Sequence, residues 1–151
     1  EKFWGFQLHD VIPDIVTLGK PMGNGHPIAA VVTTREIAKS FNSNHGYFNT
    51  FGGNPVSAAA GLAVIRFVNN NKLIEHAENV GKHFKKGLSS AARKLSVIQE
   101  VRGSGLFIGV ELESKSITSQ AIEGLLSEGV LVGQTGPQNN VIKLTIIGNH
   151  T

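Results

Sequence analysis

A chain of 151 residues is long enough to bury a core, and 40% hydrophobic with 17% charged residues is an ordinary globular composition that does not indicate disorder. The formal charge of +3 comes from lysines and arginines dispersed along the chain, so a nucleic-acid partner is not implied. The absence of cysteine excludes disulfides and thiolate metal sites and leaves the redox compartment open. No apolar run reaches the roughly 18 residues of a membrane span, and Glu1-Lys2-Phe3-Trp4 lacks a signal peptide's apolar region, so a soluble chain is expected.

The first feature is an aromatic cluster, Phe3-Trp4-Gly5-Phe6, expected to pack a connecting segment against a larger body. Ile15-Val16-Thr17-Leu18 carries strand signals that stop at Leu18. The segment Gly19-Lys20-Pro21-Met22-Gly23-Asn24-Gly25-His26-Pro27 then reads as a loop. Lys20 therefore sits at a strand's carboxyl end, the edge at which α/β sheets bind ligands. A lysine there can add to a carbonyl and form a Schiff base. For an isolated lysine the plainer reading is a solvated side chain.

Ile28-Ala29-Ala30-Val31-Val32 is a continuous apolar run, expected to be a strand buried on both faces of a parallel or mixed sheet. Thr33 and Glu36 have capping-box spacing and predict a short helix through Lys39, followed by a polar loop from Phe41 to Tyr47. Asn54-Pro55 predicts a helix start. From Val56 to Val68 that helix is apolar on all sides, the pattern of a buried helix. Gly52-Gly53 ahead of it lets backbone amides approach an anion, with Thr50 adding a hydroxyl, although Gly-Gly is also a generic turn signal.

Asn69-Asn70-Asn71 breaks the apolar pattern and marks a candidate domain boundary. Leu73, Ala77, Val80, Phe84, Leu88, Ala91 and Leu95 follow at the spacing of one helix face. His76 and His83 share a side of this helix but have no third ligand at suitable spacing, so no metal site is expected. Residues 97–102 and 106–112 read as strands joined by a glycine hairpin at Gly103-Ser104-Gly105, which lacks the third glycine of a dinucleotide fingerprint. A helix over 117–126, a strand over 130–132 and a strand over 141–147 complete a small α+β layer.

Several of these segments carry a resemblance when taken together. Phe3-Trp4-Gly5-Phe6-Gln7, the run from Val11 to Lys20, Gly23-Asn24-Gly25-His26-Pro27, and Phe48-Asn49-Thr50-Phe51-Gly52-Gly53-Asn54-Pro55 occur in that order. Val101-Arg102-Gly103-Ser104-Gly105-Leu106 and Gly109-Val110-Glu111-Leu112 follow. The set resembles the region around the cofactor lysine of the class III (ω-type) aminotransferase family and covers roughly residues 3 to 145. The resemblance implies an α/β chain of the type I pyridoxal phosphate-dependent transferase fold. Residues 1–71 would be the C-terminal part of the large cofactor-binding domain, and 72–151 a truncated small α+β C-terminal domain.

It also implies the cofactor pyridoxal 5'-phosphate, with Lys20 as the Schiff-base lysine and later the general base. Thr50, with Phe51 as its neighbour, would bind the cofactor phosphate across a dimer interface. The implied partners are a small-molecule amine substrate and further copies of the chain in a homodimer or higher homo-oligomer. No nucleic acid or membrane is implied, and the location is left between cytoplasm and mitochondrion. The aspartate that pairs with the pyridinium nitrogen and the glycine-containing phosphate turn would both precede Glu1. A C-terminal fragment is therefore expected, one that holds the cofactor poorly and is inactive and marginally stable by itself, with Val31, Leu62 and Ile65 exposed.

The reaction expected depends on the last strand. Members of the family commonly carry an arginine there, in an Arg-x-x-Pro-Pro-like pattern, as a fork for the substrate's carboxylate. Lys143 occupies that place here and cannot substitute for a bidentate fork. Gln7-Leu8, Met22, Gly25-His26-Pro27, Pro55-Val56-Ser57 and Gly133-Gln134-Thr135-Gly136-Pro137 are more similar to the ethanolamine-phosphate and phosphohydroxylysine phospho-lyase branch. The resemblance thus implies a phospho-lyase first, with Lys143 toward the substrate. The alternatives are a transaminase moving an amino group to pyruvate or glyoxylate, and a catalytically incompetent fragment or regulatory subunit. Beyond Lys143 the family's proline pair is replaced by Thr145-Ile146-Ile147-Gly148-Asn149-His150-Thr151, so the last residues are expected to depart from the family.

Overall fold

The computed structural model describes residues 2–145, and these divide into two compact units, Lys2–Leu73 and the segment from Ile74 onward. The first unit opens with a 3-10 turn, Gly5–His9, tied back by Gln7 Oε1, which accepts from the Trp4 amide at 2.9 Å. Its aromatic rings pack on one another: Phe3 meets Trp4 edge-on at 4.7 Å and Trp4 stacks on Phe6 at 6.5 Å. Phe3 and Trp4 remain more than a third exposed, so the expected packing against a larger body is not seen.

β1 (Ile15–Leu18) pairs antiparallel with β2 (Ala30–Thr33), in the register Ile15 opposite Thr33 and Leu18 opposite Ala30. The lysine loop, residues 19–29, is the connection between them. The second strand starts two residues later than its apolar run, which corrects one expectation, and Val31 is 66% exposed, as expected for this chain by itself although not for a strand covered on both faces.

The helix after it is α1 (Arg35–Asn44), capped by Thr34, whose hydroxyl accepts from the Ile37 amide at 3.3 Å. Thr33 is not the cap because its hydroxyl is engaged on the strand, donating to the Asp14 carbonyl at 2.8 Å. The helix also runs on through the polar residues expected to be a loop. Ser43 and Asn44 donate to the carbonyls of Lys39 and Ser40 at 3.0 and 2.8 Å, which closes the last turn locally.

α2 (Pro55–Asn70) starts where Asn54-Pro55 predicts. The Asn54 carboxamide oxygen accepts from the Ser57 amide at 2.8 Å, and proline at the first helical position forfeits no hydrogen bond. The helix is apolar all round but not buried, with Leu62 47% and Ile65 38% exposed. Its apolar faces have little to pack on within Lys2–Leu73. Gly61 is the point of close contact: a Cβ there would lie 3.2 Å from Ile28 Cδ1 and 4.0 Å from Met22 Cε.

The second unit has a conventional core. α3 (Leu73–Ala92) carries the apolar stripe the spacing predicts, and α4 (Lys115–Ser127) is capped by Ser114, whose hydroxyl accepts from the Ile117 amide. Four antiparallel strands lie in the order β3-β4-β6-β5, with β3 at Ile98–Ser104, β4 at Phe107–Leu112, β5 at Gly133–Thr135 and β6 at Val141–Thr145. Val110, Leu112 and Ile142 point from one face of this sheet into a cluster with Leu88, Ile117 and Leu125. Ile108 is fully buried.

The strand expected at 130–132 begins three residues later. Gly129, at φ 80°, ends α4, and the Val130 amide turns back to the Leu125 carbonyl at 2.8 Å, so pairing starts only at Gly133, opposite Lys143. The last strand's expected extension through Ile147 lies outside the described residues. Among those described, no helix is long and apolar enough to cross a membrane and no metal-ligating cluster occurs.

Candidate active site

Lys20 opens a 3-10 turn, Lys20–Gly23, one residue beyond Gly19 and the end of β1. Its backbone is left-handed at φ 46°, an uncommon conformation for a residue with a side chain, and doubly so ahead of Pro21. Three successive backbone bonds hold the segment: Met22 to Gly19, Asn24 to Pro21 and His26 to Gly23, at 3.1, 3.0 and 3.1 Å. Gly23 is buried, and a Cβ there would fall 2.7 Å from Ile28 Cγ2. The Lys20 side chain is exposed, and its amine has no hydrogen-bond or ion-pair partner among the described residues.

Thr50 and Phe51 lie in a turn pinned from both sides by asparagines. The Asn49 carboxamide oxygen accepts from the Phe51 amide at 3.1 Å, and the Asn54 carboxamide donates to the Phe51 carbonyl at 2.7 Å. The Thr50 hydroxyl has no partner among the described residues, and Phe51 is 78% exposed. A primary amine at a strand's end can add to an aldehyde. A hydroxyl beside a two-glycine turn and a capped helix can meet a phosphate. The donors present therefore suit an aldehyde that also bears a phosphate.

A cleft of about 970 Å³ runs between the lysine loop and the start of α2, lined by His26, Ala29, Phe51, Asn54, Val56 and Ser57 among others. It brings Phe51 to the lysine loop, but neither Lys20 nor Thr50 lines it. One polar contact crosses it: His26 Nε2 and Ser57 Oγ are 2.8 Å apart, and the Asn54 carboxamide donates to the same hydroxyl at 3.0 Å. Sequence reasoning gave His26 and Ser57 no role, because the two stand 31 positions apart and no local spacing rule joins them.

Lys143 belongs to the other unit. It sits in mid-strand on β6, between Gly109 of β4 and Gly133 of β5, and its stem crosses Gly133, where a Cβ would lie 3.4 Å from Lys143 Cε. Its ammonium is exposed and has no partner among the described residues. On the same face, the Arg102 guanidinium is held by the carboxylates of Glu100 and Glu111. Glu111 also accepts from the Asn140 carboxamide at 3.3 Å. These two donors, Arg102 first, hold the Glu111 carboxyl below the usual carboxylate range.

The model of the family described as Aminotransferase class-III matches residues 2–147. The chain is 45% identical over 151 residues to alanine–glyoxylate aminotransferase 2 homolog 2, mitochondrial, of Arabidopsis thaliana, covering 95% of this chain and 31% of that protein. It is 41% identical over 154 residues to ethanolamine-phosphate phospho-lyase homolog 1 of Caenorhabditis elegans, covering 95% of this chain and 33% of that one. A solved phospholyase from Arthrobacter in complex with phosphoethanolamine superposes with a TM-score of 0.88 at 43% identity, over 94% of this chain and 36% of that structure. The chain thus spans about a third of the length of the relatives it matches. It belongs to the class III aminotransferase family, whose members are pyridoxal phosphate-dependent enzymes, and has the α/β fold of type I.

Proposed function

We propose that this chain supplies the lysine, the phosphate-binding turn and a substrate-binding cation of a phospho-lyase that eliminates phosphate and ammonia from a phosphorylated amine. In this reading Lys2–Leu73 is the C-terminal part of the large domain and the segment from Ile74 onward is the small domain. The cofactor is pyridoxal phosphate, held by the Lys20 amine, with Thr50 and its neighbour Phe51 serving the partner subunit's phosphate in a homodimer. The exposure of Phe48 and Phe51, at 88% and 78%, supports a covered role for this turn in the assembled protein. Bound there, the cofactor supplies an electron sink for the carbon that carries the amine.

The chain's own residues do the rest. Lys20 first positions and then, once displaced by the substrate amine, accepts the proton from that carbon. The adjacent carbon–oxygen bond breaks, and the phosphate leaves with its electron pair. Water completes the balance by releasing ammonia and an aldehyde. Lys143 meets the phosphate as a compact cation.

The observation that carries this reading is the cation on β6. A lysine flanked by Gly109 and Gly133, with its stem lying across the second, presents a point charge instead of a planar fork. Three phosphate oxygens accept such a charge from several directions, whereas a carboxylate gains most from a bidentate arginine. Transamination is the second reading, favoured by the 45% identity to a relative named as an aminotransferase homolog.

The test uses the full-length holoenzyme with ethanolamine phosphate and no keto acid. Release of inorganic phosphate is expected, and Lys20→Ala abolishes it. Amino transfer from alanine to glyoxylate, or from another amino acid to pyruvate, without phosphate release would establish the transaminase reading. Loss of both activities in a protein that binds the cofactor would leave the incompetent form.

A further inference from the structure

The polar contact across the cleft has a use that the proposed function does not supply. His26 lies in the lysine loop, and Ser57 stands in the first turn of α2. Ser57 Oγ has one proton and two lone pairs. One lone pair takes the Asn54 Nδ2 proton at 3.0 Å, and the remaining proton or lone pair meets His26 Nε2 at 2.8 Å. The hydroxyl rotates, so it serves either imidazole tautomer. Asn54 in turn donates to the Phe51 carbonyl at 2.7 Å and caps α2 through the Ser57 amide at 2.8 Å. A continuous path of side chains thus runs from the loop that carries Lys20 to the turn that carries Thr50 and Phe51. Apolar contact backs it, because Ile28 and Met22 press on Gly61 one turn further along α2.

We infer that His26 is a positioning residue for cofactor loading: through Ser57 and Asn54 it fixes the Lys20 turn and the Thr50–Phe51 turn in one arrangement. The inference rests on Lys20 and Thr50 being the cofactor residues. The left-handed backbone at Lys20 gives the contact its purpose. A turn held in an uncommon conformation needs ties outside itself. The backbone bonds within residues 19–26 reach no other element, whereas His26 reaches α2. All three side chains are half-buried, in a cleft where a lost partner leaves a polar atom with reduced access to water.

The experiment compares the full-length protein with its His26→Ala, His26→Gln, Ser57→Ala and His26→Ala/Ser57→Ala variants. It reads the dissociation constant for pyridoxal phosphate, the absorbance maximum of the lysine-bound cofactor, and hydrogen exchange of residues 20–26 and 49–57 in the cofactor-free protein. Each alanine variant is expected to weaken cofactor binding about five- to tenfold, the size of one lost hydrogen bond. Each is also expected to shift the absorbance maximum and to speed exchange in both segments, including the one not mutated. The double variant should lose no more than a single one, since both remove the same contact. His26→Gln, which can reach Ser57 with an amide, should recover most of the affinity.

Unchanged affinity and spectrum in His26→Ala would overturn the inference, as would losses that simply multiply in the double variant. Borohydride reduction and peptide mapping of the parent separate the two readings. A pyridoxyl label away from Lys20 removes the site assignment itself. Label on Lys20 with no effect of His26→Ala removes only the role of His26.

Discussion

The two units of this chain are built to different standards of burial. In the second, Ile108, Val110, Leu112, Val141 and Ile142 are all at most 6% exposed, and helices cover one face of the four-stranded sheet. In the first, the described residues that are buried are Gly23 and Gly61, and no large side chain is. A strand run as apolar as Ala30-Val31-Val32 and a helix as apolar as α2 are sequences for a covered interior, yet here they stand in water. The difference teaches where each unit finds its partners. The second closes on itself, while the first presents apolar surfaces, and the relatives it matches are about three times as long as this chain.

The largest expected effect that sharpens this contrast is on the core. Ile108→Ala should destabilise the second unit by about 2–5 kcal/mol, whereas Val31→Ala in the first should stay within about 0.5 kcal/mol. Urea unfolding of the 151-residue chain, followed by hydrogen exchange in each unit, measures both. Equal losses would break the comparison.

Next come the buried helix glycines. In an open helix, Gly→Ala is stabilising by up to about 1 kcal/mol. At Gly81 a Cβ would lie 2.0 Å from the Gly105 carbonyl oxygen, which is backbone and cannot swing away, so Gly81→Ala should cost about 1–3 kcal/mol. At Gly61 the neighbour is the Ile28 terminal methyl at 3.2 Å, so Gly61→Ala should change stability by less than about 1 kcal/mol. Thermal melts of the two variants decide it.

The smallest effect is electrostatic. Because Arg102 and Asn140 depress the Glu111 pKa in the folded state, the pair contributes fully above the unfolded value of about 4.3. The contribution is lost as pH falls through the lower folded value. The urea midpoints of the parent and Glu111→Gln should therefore differ by a constant amount from about pH 5 to 8 and draw together as the pH falls below about 4.3. A gap that persists into acid would assign the effect to packing.

What could be read from sequence follows the range of the interaction. Asn54-Pro55 and the stripe from Leu73 to Ala91 are local patterns, and both elements start or face as those patterns predict. The spacing to Glu36 names Thr33 as the cap of α1, but Thr34 holds that place. The choice between them was made by the Asp14 carbonyl, 19 positions upstream, which sequence spacing does not report. The start of β5 depended on how the last turn of α4 closes, and the helical continuation through Ser43 and Asn44 on side chains folding back onto their own helix. The site divides the same way. Lys20 and Thr50 were named through family resemblance, since a lone lysine or threonine has no signature, and the His26–Ser57 contact existed only once two distant segments had been brought together.

The left-handed backbone at Lys20 carries a trade that can be stated as an engineering rule. A side chain in that conformation ahead of a proline raises the energy of the folded state by roughly 1 kcal/mol, and glycine removes that strain. Lys20→Gly should therefore melt no lower than the parent, and slightly higher, while losing the amine on which the proposed function rests. Selection for thermostability alone, applied to this protein without a demand for turnover, would drift toward a sturdier scaffold without the amine that the proposed function assigns to this position.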